Sequence, residues 1–375
     1  MKSLRDSSGT SPGVVKPPLD LTRRRLIHGG GAVAAGLAMP TLLMRRASAD
    51  DRVIHVGIYD SAQGNLMRKS MIPKFEADYK CQVITLAGAT LSNLAALRAT
   101  RGNPTYSAMC MDDVGVTQAK LEGLIDPLPA ADIPNLAHVY PRFLLEGGYG
   151  SAFAVSWASL FGKAGLEQDF HSFAQLWDAR FRKRYLMTTP QYTQSLFMLI
   201  VAAALATGKP LHEAQYVADS GWPHLAELKP NVLTFYTSES MVTMIPQGQA
   251  DIAGIEYSKA INPYTAKGVP VSMLRLKEGA FTGINSITMP KNAPNRTLGA
   301  AFINRLLDPA VQQELAEGTL AAPPVAGLNF KPDIARFLAY PDTKMADMGL
   351  FTPDWNYIIP HRSAWVEKYN ETFGS

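Results

Sequence analysis

The sequence predicts an α/β protein of two domains. Short apolar strands alternate with amphipathic helices, which is typical of a sheet flanked by helices. VIHVGIY (Val53 to Tyr59) is the first strand, and LSNLAALRATRG, opened by Thr90 and stopped by Gly102, is an amphipathic helix. The 326 residues that follow an N-terminal export signal exceed what one hydrophobic core ordinarily supports, so two domains are expected.

Residues 1–49 carry the three parts of that export signal. LTRRRLI (Leu21 to Ile27) is basic, a Gly- and Ala-rich apolar stretch follows, and a small-residue cleavage site ends at Ala49. The paired Arg24 and Arg25 indicate the twin-arginine type, which a receptor reads as an address. The apolar stretch is shorter than the ~20 residues needed to span a bilayer. We therefore expect cleavage after Ala49 and a periplasmic mature protein.

Removing the signal changes the charge of the chain. The full sequence has 36 Lys and Arg against 32 Asp and Glu, a formal net charge of +4. Residues 1–49 hold eight of the basic and two of the acidic residues, which leaves 28 basic and 30 acidic and a formal net charge of −2. No basic stripe remains after cleavage, so nucleic acid is not an expected partner.

The alternation of strands and helices continues through the rest of the chain. RYLMTTP ends a strand, after which Thr189 is expected to cap a helix that begins at Pro190. SLFMLIVAAALATG is apolar on nearly every face and predicts a buried helix. TLGAAFINRLLDPAVQQELAEG predicts one long helix, and the C-terminal residues predict another with aromatic packing.

The polar residues at strand ends are the candidate ligand contacts. In open α/β sheets, ligands bind beyond the carboxyl ends of the strands. Each candidate alone is more often a helix cap or a packed aromatic, but some of the set should line a cleft. They are Tyr59, Asp60, Ser61, Thr90, Asp112, Asp113, Thr189, Tyr192, Ser238, Glu239, Glu256 and Tyr257.

Asp112 and Asp113 follow the third predicted strand in the sequence MCMDDVG. A carboxylate at this position can accept charge-assisted hydrogen bonds from an ammonium or guanidinium group. One of the two can instead cap the helix that begins near Val114. Adjacent residues at a strand end point to different sides, so a catalytic carboxylate pair is the weaker interpretation, and no metal or nucleophile motif is present.

Five phrases together resemble one family, the periplasmic solute-binding proteins of ABC importers, in the group that takes iron, thiamine and spermidine or putrescine. They occur in the family's order and cover nearly the whole mature chain. The phrases are IPKFEADYKCQVITL, LWDARF, IPQGQADIAGIEY, GVPVSMLRLKEGAFTGINSITMPKNAPN and AAFINRLLDPAVQQELAEG.

The resemblance implies two α/β lobes, each a mixed, mostly parallel sheet flanked by helices, joined by a two-strand hinge. Residues 50–152 and 283–375 would form the first lobe, and residues 153–282 the second. Trp157 and Asn285 would lie in the crossovers and join the candidate contacts. The resemblance implies a monomeric receptor that delivers a solute to an inner-membrane ABC permease, with no enzyme activity, cofactor or metal.

The return crossover departs from the pattern of polyamine-binding relatives. Those proteins place a Trp and, two residues later, an Asp where this chain has Gly283 and Asn285. We therefore expect a small cationic or zwitterionic solute, polyamine- or thiamine-like in chemistry, rather than a standard polyamine site. At least one of Asp112 and Asp113 should face the cleft. The alternatives are a small organic acid bound at the helix start near Thr90, and an exported hydrolase or lyase that uses Asp112 or Asp113.

Overall fold

The computed structural model describes residues 52–236 and 240–374. The predicted export signal, Ser238 and Glu239 therefore lie outside the described residues. Within the described ranges, no single helix has the length and apolar composition needed to cross a bilayer. One bent pair, Thr193–Thr207 with Leu211–Ala226, meets both criteria when the two helices are taken together.

Twelve strands of the described chain form one mixed sheet. They are β1 (Val53–Tyr59), β2 (Gln82–Gly88), β3 (Ala108–Asp112), β4 (Ile125–Asp126), β5 (Leu144–Leu145), β6 (Gly150–Lys163), β7 (Tyr185–Thr188), β8 (Val232–Tyr236), β9 (Ile252–Tyr257), β10 (Val271–Met273), β11 (Ala280–Pro290) and β12 (Leu350–Phe351). The order across the sheet is β2-β1-β3-β11-β6-β9-β7-β8, and the four short strands attach to β6 and β11.

Fourteen α-helices occur in the same residues. They are α1 (Ala62–Leu66), α2 (Ile72–Tyr79), α3 (Thr90–Ala99), α4 (Asp113–Leu121), α5 (Phe197–Thr207), α6 (Leu211–Ala214), α7 (Trp222–Ala226), α8 (Met241–Met244), α9 (Ser258–Ala266), α10 (Arg296–Leu306), α11 (Pro309–Thr319), α12 (Pro332–Ala335), α13 (Asp342–Asp347) and α14 (Trp355–Phe373). A π-helical segment, Met67–Met71, joins α1 and α2.

The sheet has two parallel ends separated by two antiparallel strands. β1 pairs in parallel with β2 and β3, and these strands define the first lobe. β7 pairs in parallel with β8 and β9, which define the second lobe. The long strands β6 and β11 run antiparallel to each other between the two ends. They are the two predicted crossovers, and the α/β fold class with a two-strand hinge is confirmed.

Each lobe has its own hydrophobic core. The first is built around the buried faces of β1 and β3, where β-branched and other apolar side chains suit a strand packed under helices. The second surrounds α5, in which every residue from Phe197 to Ala203 is fully buried. This helix is apolar all round because it is enclosed on every side, as predicted. Phe197 stacks on Phe281 with ring centroids 4.2 Å apart, which anchors the hinge strand β11 to the second core.

The single long helix predicted between Thr297 and Gly318 is wrong, because two helices occupy this segment. α10 ends at Leu306, and Pro309 begins α11. Proline has no amide hydrogen and is unfavourable inside a helix, but it fits the first position of a new one. The carboxylate of Asp308 caps the second helix by accepting from the amide of Ala310 at 2.9 Å.

The predicted helix start at Thr189 and Pro190 is also wrong. The amide of Tyr192 donates to the carbonyl of Thr189 at 3.1 Å, so these residues form a turn. Proline at the second position of a turn is as favourable as proline at a helix start. A 3₁₀ segment begins only at Thr193, and α5 follows it from Phe197.

Candidate functional site between the lobes

Three strands of the first lobe end at one edge of the sheet. β1 and β2 are in register along their whole length, so Tyr59 lies beside Gly88. β3 ends in Asp112, whose amide donates to the hydroxyl of Thr90, the first residue of α3, at 2.9 Å. The predicted strand-end residues Tyr59, Thr90 and Asp112 are thus brought together at the carboxyl edge, where ligands bind in open α/β sheets.

Asp112 is tied to the hinge through one of its carboxylate oxygens. Its Oδ1 accepts from the Tyr59 hydroxyl at 2.8 Å and from the Asn285 amide at 2.7 Å. Burial, together with the nearby negative charge of Asp112, raises the pKa of Tyr59 well above its usual value. Asn285 lies opposite Asp112 in the β11–β3 register, so the hinge strand β11 contacts the first lobe at Asp112.

Lys259, at the second position of α9, approaches the same group from the second lobe. Its Nζ donates to the Oδ1 of Asn285 at 2.6 Å. It also lies 5.7 Å from the centroid of the Tyr257 ring. Burial lowers the pKa of Lys259, and the charges of Asp112, Glu256 and Asp113 oppose that shift. The acidic strand ends therefore already have a counter-charge from within the chain.

A cavity of about 520 Å³ opens beside this hydrogen-bonded series. Its charged lining consists of Asp112, Lys259 and Lys267, one carboxylate against two ammonium groups. Tyr59, Ser61, Thr90 and Asn285 are the other predicted residues that line it, together with Ala62, Gln63, Ala89, Ala260, Pro263, Gly318 and Thr319. Both lobes and the hinge contribute to the walls.

Asp113 is buried rather than open to the cavity, with 6% of its surface exposed. Burial raises its pKa to about 7. The Trp355 indole and the Val114 amide lower it, while the charge of Asp112 raises it further. Val114 donates to its Oδ1 at 3.0 Å. Asp113 itself is the first residue of α4, and the preceding Asp112 makes no side-chain capping bond, so neither aspartate caps the helix in the usual way.

Glu256 is a buried and well-bonded carboxylate of the second lobe. Gln194 donates to its two oxygens at 3.2 and 3.1 Å, the Tyr236 hydroxyl donates at 3.1 Å, and the Tyr257 amide donates at 2.7 Å. Burial raises the pKa of Glu256, and these hydrogen bonds lower it in part. All of these donors come from the second lobe, so this carboxylate holds that lobe together.

The other predicted contacts lie apart from the cavity lining. Asp60 is exposed and lies 3.9 Å from Arg68. Thr189 and Tyr192 belong to the turn before α5. Trp157 pairs with Thr282 across the hinge, so its side chain leaves the sheet on the face opposite Asn285. There it lines a separate cavity of about 640 Å³.

The sequence interpretation missed Lys259 and Lys267. Lys259 lies three residues after Glu256 and two after the last residue of β9. The same rule that selected Glu256 and Tyr257 would have selected it, had the search for strand-end residues continued into the first turn of α9. Lys267 follows the end of α9 and carries no comparable signal in the sequence.

Comparison with known proteins agrees with this architecture. The family described as "Bacterial extracellular solute-binding protein" matches residues 70–340. The spermidine/putrescine-binding periplasmic protein of Escherichia coli is 22% identical over 356 residues, which cover 92% of this chain and 96% of the relative.

Solved structures share the fold. An ABC transporter protein from Clostridium perfringens superposes with a TM-score of 0.72 at 19% identity, covering 85% of this chain and 99% of that one. A periplasmic binding protein of Agrobacterium tumefaciens in an open, unliganded conformation gives 0.68 at 18% identity, covering 86% and 99%. The family match covers well over half of the sequence. The chain therefore belongs to the bacterial extracellular solute-binding proteins, which serve ABC transporters and are not enzymes.

Proposed function

We propose that this chain is a monomeric periplasmic receptor that captures a small zwitterionic solute in the cavity between its lobes and presents it to an inner-membrane ABC permease. The observation that carries the proposal is the mixed charge of the cavity lining. Asp112 comes from the first lobe, Lys259 comes from the second, and the hinge residue Asn285 bonds to both. A solute that touches all three would favour a closed arrangement of the lobes.

The hydrogen bonds of Asp112 leave one oxygen for a solute. Tyr59 and Asn285 both donate to Oδ1, while Oδ2 accepts no hydrogen bond from the described residues. An ammonium group of the solute can donate to that oxygen, and hydrogen bonds to a charged group are stronger than neutral ones. The ammonium group of the proposed zwitterion would bind at Asp112 Oδ2.

The negatively charged group of the proposed solute has two candidate partners in the cavity wall. Lys259 has three N–H donors and gives one to Asn285, so two remain for a carboxylate. The ten-residue helix α3 begins at Thr90 in the same cavity wall, and amide groups at a helix start favour an anion. A solute with only positive charge would instead lie beside two lysines.

A purely cationic, polyamine-like solute is the second candidate. It is favoured by the name of the Escherichia coli relative and by the carboxylates around Lys259. A plain organic acid at the start of α3 is the third, and it would leave the open oxygen of Asp112 without a partner. The zwitterion is preferred because it matches both charges of the lining.

The lobe boundaries predicted from the sequence, with one change at the C-terminal helix, complete the proposal. Residues 50–152 and 283–354 would move as one body against residues 153–282, with the signal removed after Ala49. The C-terminal helix α14 would move with the second lobe, because Trp355, Ile358, Trp365 and Tyr369 pack in the core around α5. The hinge strands β6 and β11 are the only paired strands that connect the β1–β3 end of the described sheet with the β7–β9 end. Bending at these two strands would open and close the cavity.

The test is native mass spectrometry of the mature protein purified from its own periplasm, followed by calorimetry with the solute that it carries. We expect a bound small molecule, recovered unchanged after denaturation. Asp112→Asn should weaken its binding by about 1.5 to 3 kcal/mol, the range for hydrogen bonds to charged groups. This substitution keeps the acceptor that Tyr59 and Asn285 use.

Asp60→Asn is the matched control, because Asp60 is exposed and outside the cavity lining. It should leave affinity unchanged. Equal affinities of Asp112→Asn and wild type would refute the proposed site. A recovered solute that is a polyamine would refute the zwitterion and leave the receptor function standing.

A further inference from the structure

The surroundings of Lys259 have the composition of a binding site for an organic ammonium group. The Nζ donates to a side-chain amide oxygen of Asn285 at 2.6 Å and lies over the face of the Tyr257 ring. Asp112, Glu256 and Asp113 act on it through their charges. Aromatic faces, amide oxygens and carboxylates are the groups that proteins use to hold ammonium ligands. In this protein the ammonium group at that position is the Nζ of Lys259 itself.

The hinge is shaped to hold the aromatic part of this arrangement. A Cβ at Gly283 would lie only 2.2 Å from Cε1 of Tyr257, so the ring rests directly against the backbone of β11. Tyr257 is thus wedged between the hinge strand and Lys259. Gly283 and Asn285, two residues apart on one face of β11, hold the ring and the ammonium side by side.

We propose that Lys259 is a resident cation that fills one ammonium position of the cavity, the one beside Asn285 and Tyr257, and thereby determines the class of solute. This inference rests on the proposed function and names the residue that decides it. With Lys259 in place, a solute that carries only positive charge is repelled, whereas the carboxylate of a zwitterion accepts a hydrogen bond from the Lys259 ammonium group. Without Lys259, the same amide, ring and carboxylates form a vacant site for a ligand amine.

The decisive experiment measures diamine binding by a variant that lacks the resident cation. Lys259→Met keeps the length and apolar stem of the side chain and removes its charge. Calorimetry with putrescine as the probe should show at least tenfold tighter binding to Lys259→Met than to wild type. Binding of any carboxylate-bearing native solute should weaken in the same variant by a similar factor.

Three further variants make the result specific. Lys259→Arg keeps a cation in place and should show no gain in putrescine binding. Lys267→Met removes the other lysine of the cavity and should show less than a threefold gain. In the double variant Lys259→Met/Asp112→Asn, the gain should largely disappear, because one of the carboxylates that would pair with the amine is gone.

The proposal is overturned if Lys259→Met folds normally by circular dichroism and still binds putrescine no better than wild type. It is equally overturned if Lys267→Met gains as much, since a general change in charge would then explain the effect. These outcomes differ from a failure of the proposed function, in which the wild-type protein carries no solute and Asp112→Asn changes nothing.

Discussion

The two lobes present carboxylates to the site in different ways. Asp112 of the first lobe uses one oxygen within the protein and leaves the other at a cavity. Glu256 of the second lobe is buried and accepts from Gln194, Tyr236 and Tyr257 within its own lobe. Both residues follow the same rule of position, since each lies at the end of a strand. Their roles differ because the neighbours saturate one carboxylate and not the other.

This difference between the two carboxylates changes the net charge that the site offers to a solute. Counted along the sequence, the strand ends are acidic and suggest a cation as ligand. Counted in three dimensions, Glu256 is saturated, Asp113 is buried, and Lys259 stands opposite Asp112. The charge that a solute meets is therefore set by what remains after the internal pairing, and that remainder is one carboxylate and two lysines.

The largest expected effect comes from removing the saturated carboxylate. Glu256→Ala leaves the side-chain amide of Gln194 and the backbone amide of Tyr257 without their acceptor in a buried place, while the Tyr236 hydroxyl keeps the Ile255 carbonyl at 3.1 Å. Each unsatisfied buried donor costs about 1 to 3 kcal/mol, so the free energy of unfolding should fall by roughly 3 to 4 kcal/mol in urea denaturation. Glu371→Ala, at an exposed position in α14, is the control and should change it by less than about 0.5 kcal/mol. A small effect at Glu256 would mean that the two carboxylates do not differ as described.

The second expected effect is a pH-dependent gain in stability on neutralising Asp113. An aspartate has a pKa of about 3.9 in an unfolded chain, and burial raises the pKa of Asp113 to about 7 in the folded protein. Between these values the folded state binds more protons, so wild-type stability falls as pH rises from about 4 to 7. Asp113→Asn removes this loss and should be more stable by about 2 kcal/mol above pH 7, below the ~4 kcal/mol that corresponds to the full difference between the two pKa values.

The gain of Asp113→Asn should become small at pH 4, where the wild-type carboxyl is protonated in the folded state and about half protonated in the unfolded state. Thermal denaturation across pH 4 to 8 measures it. Asp132→Asn, at an exposed position, is the control and should give a flat difference. A gain that is constant with pH would show that the ionisation of Asp113 is not its cause.

Much of the fold followed from the sequence, because apolar periodicity records burial directly. β1 has the predicted bounds, and the enclosed helix α5 was recognisable from its apolar faces. The residues of the site could be predicted from the sequence only in part. Residues Tyr59, Thr90, Asp112 and Asn285 were chosen by their positions at strand ends and crossovers, and they do line one cavity. What the sequence could not show was the pairing of Asp112 with Lys259 through Asn285, since it joins residues more than a hundred positions apart.

A third, smaller effect tests the wedge of Tyr257 against the hinge. Gly283→Ala places a methyl group 2.2 Å from the Tyr257 ring, which must move away from β11. Overpacking of this kind costs about 1 to 3 kcal/mol, and denaturation should show a loss near 1 to 2 kcal/mol. Gly102→Ala is the control, because a Cβ there meets nothing within 4 Å. Unchanged stability of Gly283→Ala would mean that the ring moves freely and that the Lys259 site is not preorganised.

The smallest expected effect is the difference in stability loss between two tyrosine variants. Tyr59 donates to Asp112 and Tyr236 donates to Glu256. The Tyr59 hydroxyl donates to Asp112 at 2.8 Å, and Asp112 Oδ1 keeps its bond from Asn285 when that hydroxyl is removed. Tyr59→Phe should therefore lower the free energy of unfolding by only about 1 kcal/mol. The fully buried Tyr236 hydroxyl lies 3.1 Å from Glu256 Oε2, 3.1 Å from the Ile255 carbonyl oxygen and 3.0 Å from the Thr188 hydroxyl. Tyr236→Phe therefore removes more contacts than Tyr59→Phe and should cost about 2 kcal/mol. Urea denaturation of both variants measures the two losses in the free energy of unfolding. Tyr264→Phe, at an exposed position, is the control. Equal losses would remove the contrast between an open and a saturated carboxylate, since the two networks would then be equally tolerant of a missing donor.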